Sequence, residues 1–253
     1  MIPRIDFFGA KINGKIPNMK TRRAKTDFHS NGVAPLLFNG DRLSQKEFHR
    51  RYELCPPGFK AELIGGIVYM PSPVRLPHGY YQADLLEIFK IYKRRTLGVD
   101  VSGEASIILG DKSEPQPDAF VQLLPEYQGQ SFMNEDQYAV GAPELVGEIS
   151  HSTIAIDLGQ KKVDYERAGV QEYLVVCIAE QEIRWFNFPS RRQIKADKDG
   201  ILKSIFFPGL WIDEASLLAR NTARCVAVIR HGLASREHTE FVARLKRIRK
   251  KSK

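Results

Sequence analysis

Residues 143–177 read PELVGEISHSTIAIDLGQKKVDYERAGVQEYLVVC. Two apolar runs, one from Glu144 and one from Glu172, bracket a polar crossing and a charged segment. The pattern predicts strand, helix and strand. Alternation along the first run puts Leu145, Gly147 and Ile149 on one face and Val146, Glu148 and Ser150 on the other. Glu148 therefore sits mid-strand. A buried ionised carboxylate without a partner costs several kcal/mol. Glu148 needs a cation, a proton or a Lys/Arg; an edge position or an arginine partner would also account for it.

Two further residues bear on that acid. Asp118 follows Pro117 in EPQPDAFVQL, at the start of a predicted strand. Lys161 lies on the helix predicted over Leu158–Ala168, sharing a face with Asp157 and Tyr165 at four-residue spacing. Alone, an Asp after Pro is a turn residue and a lysine on a charged helix is solvated. Together, two carboxylates and a lysine near the ends of adjacent strands could bind a hard divalent cation, which takes oxygen ligands and keeps waters. Such waters can act as the nucleophile in phosphodiester hydrolysis.

The rest of the chain predicts a mixed sheet with helices. LSQKEFHRRYEL from Leu43 is a helix with Ser44 as N-cap and Glu47 three residues on. AELIGGIVYMPSP from Ala61 is a hairpin about Gly65-Gly66. His78–Arg95 is an amphipathic helix burying Tyr81, Leu85, Ile88 and Phe89. EASIILG from Glu104 and DAFVQLL from Asp118 are strands around a polar loop. EYLVVCIA and EIRWFNF form a second hairpin, and SIFFPGLWI closes the strand region. Glu214–His231 and Ser235–Ile248 are helical. Residues 1–36 lack periodicity and are expected to be disordered.

The chain has 253 residues and a net charge of +8. Residues 1–30 carry +5 and residues 236–253 carry +6, so the stretch between is mildly acidic. Basic ends suit a polyanion such as nucleic acid, or they serve solubility. From Arg244 onward the expectation is a partly docked helix ending in a free tail. Three scattered cysteines in no CxxC pair fit free thiols in a cytoplasmic protein. No run of eighteen apolar residues predicts a membrane span. No GxxxxGK[ST] loop is present, which argues against NTP-driven translocation.

PQPDAFV, ELVGEIS-HST and the 157–173 pattern D-L-G-Q-K-x-x-x-Y-x-x-A-G-V-x-E-Y resemble the Uma family of restriction endonucleases, a branch of the PD-(D/E)XK nuclease superfamily. The hairpin followed by His78, and SIFFPGLWI, extend the resemblance over about Arg42–Leu218. It implies an α/β (α+β), restriction-endonuclease-like fold: a mixed sheet flanked by helices over 37–218; the helical basic extension expected over 219–253 lies outside the resemblance. It also implies a magnesium- or manganese-dependent endonuclease acting on DNA, and a homodimer. By matching position, Asp118 and Glu148 are the metal ligands, Lys161 the catalytic lysine and Glu62 an additional acid. Glu62 also reads as an ordinary strand-start residue; His78 matches a recurring histidine of the family or equally a helix-cap residue, and stays outside the catalytic set. Two departures stand out: Ser150-His151-Ser152-Thr153 replaces the family's Ser-Pro-Ser-Thr, and Gly66-Ile67 replaces Gly-Glu. Neither removes a proposed ligand, while His151 adds an imidazole nearby. A catalytically silent nucleic-acid- or partner-binding module on the same fold is the competing expectation.

Overall fold

A computed structural model describes residues 36–251, so the expected disorder of residues 1–35 lies outside the described residues. Helix α1 (Gln45–Tyr52) is capped by Ser44, whose Oγ accepts from the Glu47 amide at 3.3 Å. The hairpin of β1 (Glu62–Ile64) and β2 (Ile67–Tyr69) turns at Gly65 and Gly66, both with positive φ. Helix α2 (Leu76–Arg95) starts two residues earlier than expected, with a proline in its first turn, and buries Tyr81, Leu85, Ile88, Phe89 and Tyr92.

Strands β3 (Val99–Ser102), β4 (Ile107–Ile108), β5 (Ala119–Leu123), β6 (Phe132–Met133), β7 (Ala139–Val140) and β8 (Leu145–Ser150) follow. Next come α3 (Ile154–Ile156), a wide turn over Asp157–Lys161, and α4 (Lys162–Ala168). Then come β9 (Glu172–Cys177), β10 (Glu182–Asn187), β11 (Arg192–Ile194), β12 (Ile201–Lys203) and β13 (Trp211–Asp213). Helices α5 (Glu214–Leu218), α6 (Thr222–Leu233) and α7 (Arg236–Lys251) complete the described chain.

The main sheet has the order β11-β10-β9-β8-β5-β3. All its pairs are antiparallel except β8–β9, which α3 and α4 connect as a crossover. One face buries Leu145, Ile149, Leu174 and Val176 with residues of α2, α6 and α7. The other buries Val146, Tyr173, Val175 and Cys177 with Tyr165 of α4. The predicted alternation in β8 is therefore correct. Gly147 lets α2 lie close: a Cβ there would sit 2.9 Å from Leu85 Cδ2.

Five local expectations fail. The strand edge beside β5 is Val99–Ser102, while of EASIILG only Ile107–Ile108 is extended, pairing with β7 in a small separate sheet. SIFFPGLWI is not a strand: its centre is the turn between β12 and β13. The Glu172 carboxylate captures that turn, accepting from Ser204 Oγ and from the amides of Ile205 and Phe206 at 2.7–2.8 Å. The Glu214–His231 helix breaks at Arg220, which has φ +54°, and restarts at the Asn221 cap. The Leu158–Ala168 helix kinks at Gly159. Nor is the C-terminal end a free tail as far as it is described: α7 continues to Lys251, with Phe241 and Leu245 in the core.

Candidate active site

A cleft of about 960 Å³ opens at the end of the main sheet, lined by Glu62, His78, Asp118, Glu148, His151, Asp157 and Lys161 among others. The sheet register builds its centre. Ala119 pairs with Gly147 in the antiparallel β5–β8 ladder, so Asp118 continues the register opposite Glu148. Asp118 Oδ2 accepts from the Ile149 amide at 2.7 Å, locking the first acid to the residue after the second.

The crossover after β8 supplies the lysine. The kink at Gly159 ends at Lys161, whose buried side chain reaches back over β8. Its Nζ lies 3.0 Å from Glu148 Oε1 and 3.0 Å from Glu62 Oε1. Asp157 Oδ1 is 4.0 Å away. Tyr165, one turn on, donates to Glu148 Oε1 at 2.8 Å. Lys162 points elsewhere, its Nζ 3.9 Å from the Phe186 ring centroid. Glu62 is fixed in turn, since its Oε1 also accepts from the Gln116 amide at 2.7 Å.

The hairpin that carries Glu62 is tied to the helix that carries Tyr165. The Gly65 amide donates to Asp164 Oδ2 at 2.7 Å. Gly65 has φ +59°, a left-handed backbone that favours glycine, and a Cβ there would push against the Gln160 side chain at 2.8 Å.

A family model described as "Putative restriction endonuclease", Uma2, matches residues 46–217, well over half the chain. This chain belongs to the Uma2 family. The match spans the hairpin, the Asp118 and Glu148 strands and the Lys161 helix, and stops before α6. No match to a curated protein was found. The fold is similar to the crystal structure of a "putative nuclease belonging to DUF820" from Anabaena variabilis. That likeness has 16% identity and a TM-score of 0.50, covering 67% of this chain and 97% of that one.

The structure of this Uma2 chain brings Glu62, Asp118, Glu148 and Lys161 into one cleft. It adds three contacts that the sequence reading did not assign. Asp157 faces Lys161 and is held by Thr153 Oγ1 at 2.5 Å. Tyr165 contacts Glu148 directly. His78 stands with Nε2 3.3 Å from Asp118 Oδ2, so it is no mere helix cap, and its buried Nδ1 has no partner among the described residues. The i,i+4 series Asp157, Lys161, Tyr165 was the one local signal for the first two.

Acids outnumber cations here. Burial raises the Glu148 carboxyl well above the ordinary range; Lys161 opposes this, while Asp118, Asp157 and Glu62 add to it. Burial works against a charged Lys161, but Glu148 and Glu62 more than compensate and keep it protonated. A hydrogen bond to Asp118 raises the His78 imidazole, against the effect of burial. Glu148 Oε2 and Asp118 Oδ1 carry no hydrogen bond among the described residues. Among those residues no group of three or more His, Cys, Asp or Glu is arranged as a metal cage.

Proposed function

We propose that this Uma2 chain is a divalent-metal-dependent endonuclease that hydrolyses phosphodiester bonds of DNA. The observation that carries the reading is Lys161, held at 3.0 Å from both Glu62 and Glu148 in a cleft shared with Asp118. Family membership supports the reaction class, and the surplus of carboxylates supports the cation.

The donor set fits Mg²⁺ or Mn²⁺ better than a closed cage metal. Mg²⁺ is commonly held by one or two carboxylates and keeps several waters. The unpartnered oxygens of Asp118 and Glu148 would be its protein ligands. When bound, such an ion supplies a Lewis acid for the phosphate and a more acidic water.

The chain's own groups do the remainder. The Ile149 amide fixes the Asp118 carboxylate, and Tyr165 fixes that of Glu148. Lys161, whose ammonium form Glu148 and Glu62 favour, supplies a positive charge that can leave Glu62 for a phosphate oxygen, where charge builds in the transition state. Glu62 holds the lysine in readiness when no substrate is present.

Nicking of supercoiled plasmid tests the proposal. The protein should cut with Mg²⁺ or Mn²⁺ and not with EDTA. Glu148→Gln, which keeps the shape and removes the charge, should abolish cutting while the melting temperature holds. Undiminished cutting by that variant sinks the role of Glu148.

A further inference from the structure

The last two turns of α7 carry Arg244, Lys246, Arg247, Arg249, Lys250 and Lys251, with no acid between residues 244 and 251. Among the described residues the ion pair on this helix is Arg236 with Glu240, before that run. The apolar positions are used inward: Phe241 and Leu245 are buried and Ile248 rests on the same core. The outer face is cationic without an apolar stripe. That fits a phosphate backbone and not insertion into a membrane surface, which needs an apolar face of its own.

The cleft itself offers a polyanion little grip. Of the three Lys and Arg that line it, Lys60 pairs with Glu104 and Lys161 with Glu62 and Glu148; Arg75 alone forms no ion pair among the described residues. A duplex entering this acidic cleft needs cations elsewhere.

We infer that the outer face of α7 is a second nucleic-acid contact, gripping backbone phosphates at a point remote from the cleft. The inference rests on the nuclease reading above and adds where the duplex is held. Helix α2 starts beside the cleft, with His78, and is 20 residues long, about 30 Å. At its far end Thr96 Oγ1 lies 2.9 Å from His238 Nε2 of α7. Arg249 sits over the ring of Tyr127, beyond the end of β5 remote from Asp118. Both routes place α7 away from the acids. At 3.4 Å per base pair, a duplex must run roughly 9 base pairs past the site to touch both. The contact lies outside residues 46–217, which match Uma2.

The test replaces Lys246, Arg247, Lys250 and Lys251 by Gln, all four exposed and free of ion pairs and ring contacts among the described residues. Glutamine keeps the helix. Binding of a fluorescent duplex of about 30 base pairs is measured in EDTA across a salt series. The variant should bind at least tenfold more weakly at about 0.1 M salt, with a log–log salt slope shallower by roughly 2 to 4 and an unchanged melting temperature. Equal affinities and slopes overturn the proposal. So does a loss confined to phosphatidylserine vesicles. Binding in EDTA needs no turnover, so a protein that binds through α7 and never cuts would overturn the nuclease reading alone.

Discussion

Lys161 reaches across the cleft to Glu62: its ammonium, from the turn after β8, lies 3.0 Å from a carboxylate on the N-terminal hairpin. The same nitrogen lies 3.0 Å from Glu148. One cation thus holds together two acids from distant parts of the chain, and its removal should be felt in both chemistry and stability. Lys161→Met should lower the cleavage rate by roughly a hundredfold or more, the scale seen when one transition-state donor is lost. Breaking a buried pair costs about 3–5 kcal/mol when the partner stays charged; Glu148 can take up a proton instead, so the loss should be smaller. Lys162→Met, on the Phe186 face, should change neither rate nor unfolding midpoint. Two variants that cut alike, measured while both are folded, contradict this assignment.

Tyr165 provides a finer test. Its hydroxyl donates to Glu148 at 2.8 Å, and its ring lies against Tyr173 with centroids 5.1 Å apart. Tyr165→Phe keeps the ring and deletes the donor. A hydrogen bond to a charged group contributes about 1.5–3 kcal/mol. The variant should stay folded and require more Mn²⁺ for half-maximal activity. An unchanged Mn²⁺ requirement would show that Tyr165 only packs.

Metal binding can be read without turnover. Mn²⁺ should raise the melting temperature of wild type through preferential binding to the folded state. Asp118→Asn should abolish most of that shift. A wild type whose melting temperature is indifferent to millimolar Mn²⁺ argues against a metal at these acids.

A pH prediction concerns a region far from the cleft. His238 is buried, its Nδ1 donating to the Leu233 carbonyl at 2.9 Å and its Nε2 facing the Thr96 hydroxyl at 2.9 Å. Burial lowers its pKa below the ordinary value. The unfolded chain therefore binds more protons as pH falls through about 6.5, and stability declines toward acid. His78, raised by Asp118, has the opposite sign: its contribution is present at low pH and lost as pH rises. The difference between wild type and His238→Gln isolates the first effect. Urea unfolding at about pH 7 and about pH 5 should show the wild type losing more stability than the variant. Equal losses contradict the assignment.

The centre of the site was legible because it is local. Glu148 at an inward position of β8, and Asp157, Lys161 and Tyr165 on one helical face, are readable from spacing; that Asp118 and Glu62 join them from distant parts of the chain was implied by the family resemblance alone. The contacts of His78 with Asp118 and of Glu172 with the Ile205 and Phe206 amides join residues far apart in the chain, and no periodicity reports them. The same cause defeats the reading of SIFFPGLWI. Its apolar run has the composition of a strand, yet a buried carboxylate from β9 takes its amides and bends it into a turn. Val99–Ser102 was missed because four residues after a long helix are too few for alternation to show.

The tie between Gly65 and Asp164 has a kinetic consequence. The hydrogen bond joins the hairpin turn to α4, so the elements that carry Glu62 and Tyr165 are tied to each other directly as well as through Lys161. A phosphate oxygen that draws the lysine away from Glu62 would then ask for the rotation of a single side chain. Such rotations are faster than the microsecond-to-millisecond motions of lids and domains.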